Sequence, residues 1–251
     1  MNHIDLEKNK LLTFTSEMLH SIIPVIKSKY FYFGILAVIA GAGLNFASET
    51  YLHNYMSEGK TLPMLSDLVL DNLPYYNISL IYDICCLIPI LLVLIYIVHK
   101  RDYDRIPMFL LLTGIFYIVR GVFIVLTPFG NPPMFNGSDT LFKGFSKYEL
   151  GVYPSGHAGN VFLMFLLVKD KGYKWLIFIC LFVVITALFL ARGHYSIDIL
   201  SGLFFSYAIK AFGEKHFSMF DLGNRKESLS YLFKSSDEKK PNNSRMNVFN
   251  L

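Results

Sequence analysis

The sequence predicts an all-α polytopic membrane protein, a bundle of six transmembrane helices with a surface helix before it. Three observations predict it. Apolar residues make up 53% of the 251-residue chain and aromatic residues 16%, while charged residues are only 17%. Mean hydropathy is +0.43, high for a soluble domain. Apolar stretches near the length needed to cross a bilayer recur along the chain, and Lys and Arg gather in alternate connecting segments.

The elements are expected in this order. Apolar residues recur at roughly helical spacing over 6–26, which predicts a helix lying on the membrane surface. The segment from Met1 to Lys29 is polar and of mixed charge, unlike a cleavable signal, so the first apolar run is expected to serve as signal and anchor together. Six spans follow, at roughly 31–46, 78–99, 106–127, 158–168, 175–191 and 197–212. The fourth is short against the about 20 residues of a full crossing, and a start near Ser155 lengthens it. The domain reading is therefore 1–30 as a cytoplasmic amphipathic segment, 31–213 as one membrane domain, and 214–251 as a polar cytoplasmic tail, disordered in part beyond Asp221. There is no internal repeat.

Charge placement orients the bundle. Lys8, Lys10, Lys27 and Lys29 precede the first span. Lys100, Arg101 and Arg105 lie between spans two and three, and Lys169, Lys171 and Lys174 between spans four and five. The tail adds eight more, from Lys210 to Arg245. The opposite face carries only Lys60, Lys143 and Lys147, in long loops at 47–77 and 130–153, the first of them acid-leaning through Glu49, Glu58, Asp67 and Asp71. The positive-inside rule then puts both termini in the cytoplasm. A net charge of +4 gives no reason to expect a nucleic-acid partner. Cys85, Cys86 and Cys180 sit in apolar runs, without the spacing of a disulfide framework or a zinc site.

Two motifs carry chemistry. Tyr153-Pro154-Ser155-Gly156-His157 opens the fourth span, and Arg192-Gly193-His194-Tyr195-Ser196-Ile197-Asp198 opens the sixth. The charge count puts both at outer helix ends. Pro-Ser-Gly at a helix start offers unpaired backbone N–H groups and the positive end of the helix dipole, which suit a phosphate oxyanion. Gly156 permits close approach, the Ser155 hydroxyl can add a hydrogen bond, and His157 is placed to protonate a leaving alkoxide. His194 and Asp198 are four apart and share a helix face, so the carboxylate can hold one ring nitrogen while the other attacks phosphorus. Arg192 is a candidate phosphate ligand. So is Arg120, a charge inside the apolar run 115–126 that must face the bundle interior, with Asp83 as its expected partner if its role is structural. Asp83 and Tyr195 are also candidates to line an internal chamber, Tyr195 alternatively belonging, with Tyr153, to an interfacial aromatic belt.

Ser155-Gly156-His157 and His194-x-x-x-Asp198, at two outer helix ends of a six-span chain, resemble the type 2 phosphatidic acid phosphatase superfamily. That family's first motif would fall on Arg120, Thr127 and Pro128, with its second Arg missing, and the Arg of its third motif is replaced at Ala187-Leu188. His194-Tyr195-Ser196-Ile197-Asp198, with Arg120, Thr127 and Asn131-Pro132-Pro133, is similar to the sphingomyelin synthase branch, and the likeness runs over 82–213. The resemblance implies two-step phosphodiester transfer. His194 displaces diacylglycerol from a phospholipid donor, giving a phosphohistidine, and a lipid alcohol of the ceramide or diacylglycerol type then takes the phospho-head group. It implies no metal and no cofactor, and substrates drawn from the membrane lipids.

Two other functions compete with this reading. A lipid phosphate phosphatase would use water as acceptor, but its phosphomonoester carries more charge and wants more cationic partners than two motifs lacking an arginine supply. A non-catalytic lipid-binding scaffold or a transporter would have no need of the full set Ser155, His157, His194 and Asp198, and a transporter is expected to show paired repeats.

Overall fold

The structure, a computed structural model, describes residues 3–135 and 150–224, the side chains of 3–11 and 14 excepted. Lys143 and Lys147 of the second outer loop, and the tail from 225 on, lie outside the described residues. Among the described residues every regular element is helical. They are α1 (His3–Ile26), α2 (Lys29–Ser57), the single turn α3 (Leu68–Asp71), α4 (Ser79–Lys100), α5 (Ile106–Leu126), α6 (Gly156–Leu167), α7 (Lys171–Leu190) and α8 (Ser196–His216). Short 3₁₀ turns at Tyr103–Arg105 and Ser218–Phe220 complete the set.

Four helical segments are long and apolar enough to cross a membrane: Lys29–Ser57, Ser79–Lys100, Tyr103–Leu126 and Lys171–Leu190. These mark an integral membrane protein. The apolar α6 has only 12 residues. It packs along α8, whose first turn carries Asp198 and whose last turn carries Lys215 and His216.

The first span differs from expectation at its outer end. Its helix was expected to stop near residue 46, with Glu49 in the following loop, but α2 continues to Ser57. The reason lies in which way the polar residues point. Asn45, Ser48 and Glu49 are buried, and the Ser48 hydroxyl donates to the Gly121 carbonyl of α5 at 2.8 Å. Polarity there marks a helix face turned into the protein, not exit into water.

Close helix crossings rest on small residues. A Cβ on Gly114 of α5 would lie 2.4 Å from the backbone carbon of Ala37, so α2 and α5 meet backbone to backbone. Between α6 and α8, a Cβ on Gly202 would lie 2.7 Å from the Ser155 carbonyl oxygen. The Ser206 hydroxyl lies 2.6 Å from the Gly159 carbonyl and 2.8 Å from that of Gly202, joining the two helices. This crossing matters for function, because it brings the beginnings of α6 and α8 side by side.

The end of the bundle remote from those two helix starts has its own network. Arg105, buried, donates to the Leu167 carbonyl at 2.9 Å and lies 3.5 Å from Asp102 and 3.4 Å from Asp221. It thereby ties the α4–α5 link to the end of α6 and to the segment after α8. Arg101 pairs with Glu17 at 2.8 Å and holds α1 to the same link.

Candidate active site

Ser155 is the N-cap of α6, in extended conformation, and its hydroxyl accepts the Ala158 N–H at 3.3 Å. Its own N–H donates to the Asp198 carbonyl at 2.9 Å, a direct backbone link between the starts of α6 and α8. Ser155 is fully buried, so its hydroxyl serves the helix end. The next residues, Gly156 and His157, begin the helix with N–H groups that no intrahelical carbonyl can take.

The turn from α7 to α8 presents His194. Arg192 adopts a left-handed backbone, φ 56°, and the Gly193 N–H closes the turn onto the Leu188 carbonyl at 2.9 Å. Asp198, fully buried on the first turn of α8, accepts the Tyr195 N–H at 2.9 Å through Oδ2. The same oxygen lies 3.4 Å from Nδ1 of the buried His194. That is an ion-pair distance rather than an aligned hydrogen bond, and the contact leaves Nε2 as the outward nitrogen. Burial holds the His194 imidazole below its ordinary pKa of 6.5, and Asp198 opposes this without overcoming it.

His157 has a carboxylate of its own. Its Nε2 lies 3.3 Å from Oδ1 of Asp83, a fully buried acid on α4. Its ring packs edge-on against Tyr82, centroids 5.1 Å apart. The rings of His157 and His194 are 5.8 Å apart with their planes at 64°. Among the described residues, Asp83 Oδ2 and Asp198 Oδ1 are buried without a hydrogen-bond partner, so polar capacity remains around both imidazoles. The carboxylate expected beside Arg120 thus stands beside His157. The sequence could not tell these apart, since α4 packs along α7 and α6 whichever of them the acid faces.

Three N–H groups of Arg120, one from each nitrogen, hold the approach to α6. Nε donates to the Pro154 carbonyl at 3.1 Å, Nη2 to the Gly151 carbonyl at 2.9 Å, and Nη1 to the Asn45 side-chain oxygen. Asn45 in turn donates to the carbonyls of Gly41, at 2.7 Å, and Tyr117. The guanidinium also lies against Gly156, where a Cβ would come within 3.0 Å of Nε. Arg192 donates to the Leu73 carbonyl at 3.0 Å. Tyr195 is buried, its hydroxyl accepting the Leu65 N–H at 3.1 Å and reaching the Asn131 carbonyl at 3.3 Å. It therefore ties the segment before α3 to the segment after α5.

Sequence reasoning missed Asn45 and Asp67. Asp67, buried before α3, accepts the Ser196 N–H at 2.6 Å and lies 2.8 Å from the Ser196 hydroxyl. Burial alone would raise its pKa, but these bonds and the N–H groups of Leu70 and Val69 outweigh it and hold the carboxyl below its ordinary 3.8. An amide inside an apolar run was the available signal for Asn45. Nothing local distinguishes Asp67 from Asp71. Among the described residues, no three His, Cys, Asp or Glu side chains are grouped to hold a metal.

Among the described residues every regular element is helical, four segments are long and apolar enough to cross a membrane, and two histidine–carboxylate pairs stand at adjoining helix starts, which is the architecture of an integral membrane protein. Residues 153–215 match the PAP2 superfamily C-terminal family, a domain found in sphingomyelin synthase-like proteins. The chain is similar over this stretch to a superfamily of lipid phosphatases and phosphotransferases, and the stretch contains Ser155, Gly156, His157, Arg192, His194 and Asp198. No curated protein matches the chain.

Proposed function

We propose that this protein is a membrane-embedded lipid phosphotransferase, moving a phospho-head group from a phospholipid to a lipid alcohol through a phosphohistidine on His194. The observation that carries the proposal is the 5.8 Å separation of the His157 and His194 rings, each beside its own carboxylate. Rings this close, each beside a carboxylate, can act on one phosphoryl group, His194 as the attacking nitrogen and His157 as the acid for the leaving oxygen.

In the first step Nε2 of neutral His194 attacks phosphorus, and the N–P bond forms as the bond from phosphorus to the diacylglycerol oxygen breaks. Asp198, beside Nδ1, stabilises the positive charge the ring acquires. His157 gives its proton to the leaving oxygen. Asp83 stands beside Nε2 of that ring and steadies it. In the second step a lipid hydroxyl loses its proton to His157 and attacks phosphorus, and the N–P bond breaks. The first-turn N–H groups of Gly156 and His157, at the positive end of α6, are the proposed phosphate cradle, with Ser155 fixing the helix end. The reading needs no metal and no cofactor.

Diester transfer is favoured over monoester hydrolysis by the cations. Arg120 and Arg192 both direct donors to main-chain carbonyls. A dianionic monoester would call for more positive charge at the phosphate than the imidazoles and helix end supply.

The proposed arrangement has α2, α4, α5, α6, α7 and α8 as six spans, with both termini cytoplasmic and the site at the extracytoplasmic face. The deciding experiment supplies a phospholipid labelled in its head group, in vesicles, with and without ceramide or diacylglycerol. Label appearing in a new lipid only when the alcohol is present supports the transferase. A water-soluble phosphate product alone, whatever the acceptor, makes the protein a hydrolase.

A further inference from the structure

The first outer loop, residues 58–78, is fastened to both catalytic segments, and the proposed mechanism does not use it. Around His194 the fastenings are close. Asp67 takes the Ser196 N–H and lies against its hydroxyl, Leu65 N–H donates to the Tyr195 hydroxyl, Arg192 donates to Leu73, and the Tyr76 N–H donates to the Leu190 carbonyl at 2.9 Å. These contacts fall on both sides of His194 in the chain. On the other motif, buried Leu70 of α3 packs in one apolar cluster with Tyr195 and with Val152, two residues before Pro154. One strap thus spans the two segments that carry the imidazoles, and His194, flanked in the chain by its attachment points, is only 5% exposed.

A phosphohistidine faces two acceptors, water at about 55 M and a lipid alcohol confined to the membrane. Selecting the alcohol requires that bulk water be kept from the N–P bond. We propose that Asp67 is a positioning residue for acceptor choice: through Ser196 it latches the 58–78 strap over the site and so directs the phosphohistidine to the lipid alcohol. The inference rests on the transferase reading. Both outcomes of the second step balance. A lipid hydroxyl forms an O–P bond as the N–P bond to His194 breaks, which regenerates a phosphodiester, its proton passing to His157. Water forms an O–P bond as the same N–P bond breaks and releases the head-group phosphomonoester, its proton taking the same path. Asp67 affects only which oxygen arrives.

The latch has a specific geometry. Asp67 Oδ1 accepts the Val69 and Leu70 N–H groups at 3.0 and 3.2 Å, while Oδ2 alone faces Ser196. Asp67→Asn can keep the first pair through its remaining oxygen, but it turns an NH₂ group towards the Ser196 N–H. Ser196→Ala removes the hydroxyl contact alone and leaves the backbone bond.

The test uses the full chain in vesicles holding head-group-labelled phosphatidylcholine and phosphatidylethanolamine, with ceramide and diacylglycerol as acceptors. It reads the ratio of water-soluble phosphomonoester to new phospholipid. This ratio does not depend on how much protein folds, so a merely structural loss of activity leaves it unmoved. The expected result is a several-fold rise in the soluble share for Asp67→Asn, a smaller rise for Ser196→Ala, and a return towards wild type for Asp67→Glu. An unchanged ratio in both Asp67→Asn and Ser196→Ala overturns the latch while leaving the transferase standing. A wild-type protein that makes no lipid product in any vesicle overturns the transferase, and the latch with it.

Discussion

Arg120 donates Nε–H to the Pro154 carbonyl at 3.1 Å, so this half-buried cation of α5 grips the main chain one residue before the N-cap of α6. The same guanidinium reaches Gly151 and Asn45, and through Asn45 the backbone of α2 and α5. The position of His157 is therefore set from two helices, α2 and α5, that carry neither His157 nor His194.

Arg120→Lys keeps the charge but cannot reproduce three divergent donors. Displacement of His157 by a fraction of an ångström to an ångström is the expected result, with turnover falling on the order of 10²-fold and a smaller change in KM. Asn45→Leu leaves a buried donor of Arg120 unmatched and is expected to lower stability by about 1–3 kcal/mol. Steady-state kinetics and thermal melts in detergent check both. Wild-type turnover in Arg120→Lys would show the grip to be dispensable.

His194→Ala should abolish both transfer and any phosphohistidine trapped with labelled donor, while the protein still inserts into membranes. His157→Ala should slow turnover by roughly 10²–10⁴-fold, the range of a lost acid–base group, and still permit slow labelling of His194. Asp83→Asn should resemble a mild His157 variant. A labelled intermediate on some residue other than His194 would falsify the assigned nucleophile.

The pH dependence has a definite sign. Burial depresses the His194 pKa, so the neutral, nucleophilic ring persists at pH values where a free imidazole is half protonated. The acid limb of kcat/KM is expected below pH 6.5. Asp198 acts to raise the His194 pKa, so Asp198→Asn should move that limb lower still, while slowing the reaction by up to about 10⁴-fold through lost orientation. A limb that moves upward in Asp198→Asn would contradict the pairing.

Gly202→Ala places a Cβ 2.7 Å from the Ser155 carbonyl, a backbone atom that cannot swing aside. It should destabilise the protein by about 1–3 kcal/mol and disturb the α6 start, so activity should fall more than stability alone explains. Gly43→Ala is the matched control, since nothing lies within 4 Å of its Cβ. Thermal melts of the two variants, read beside turnover at a temperature where both are folded, separate these effects.

Single cysteines introduced for Met64 and Lys171 test the orientation. Met64 is 67% exposed in the strap, and Lys171 opens α7 at the other end of the bundle. A membrane-impermeant thiol reagent should label position 64 from outside and position 171 only after the membrane is opened. The reverse pattern would invert the bundle.

Several features were readable residue by residue. His194 and Asp198 do meet, although His194 stands in the turn before α8 and not on the helix itself, because four residues of chain keep the two side chains within reach. Ser155 was readable as a helix start for the same local reason. The end of α2 was not, because a polar run such as Ser48-Glu49-Thr50 looks alike whether it faces water or a neighbouring helix. Arg120 was recognised as inward-facing, but two of its three partners are backbone carbonyls, which leave no trace in side-chain chemistry, and the third is the amide of Asn45 on another helix. Asp67 finds Ser196 across 129 positions, and no local pattern encodes that distance.

The sequence by itself determined the membrane-crossing character of the helices, the cap that opens α6, and the pairing of His194 with Asp198. Each depends on composition or on contacts within one or two helical turns. Only the tertiary structure decided that Asp83 serves His157, that Arg120 grips the Pro154 main chain, and that residues 58–78 cross both motifs. Those relations depend on which helix faces are turned together, and that is set by where small residues such as Gly114 and Gly202 let backbones approach.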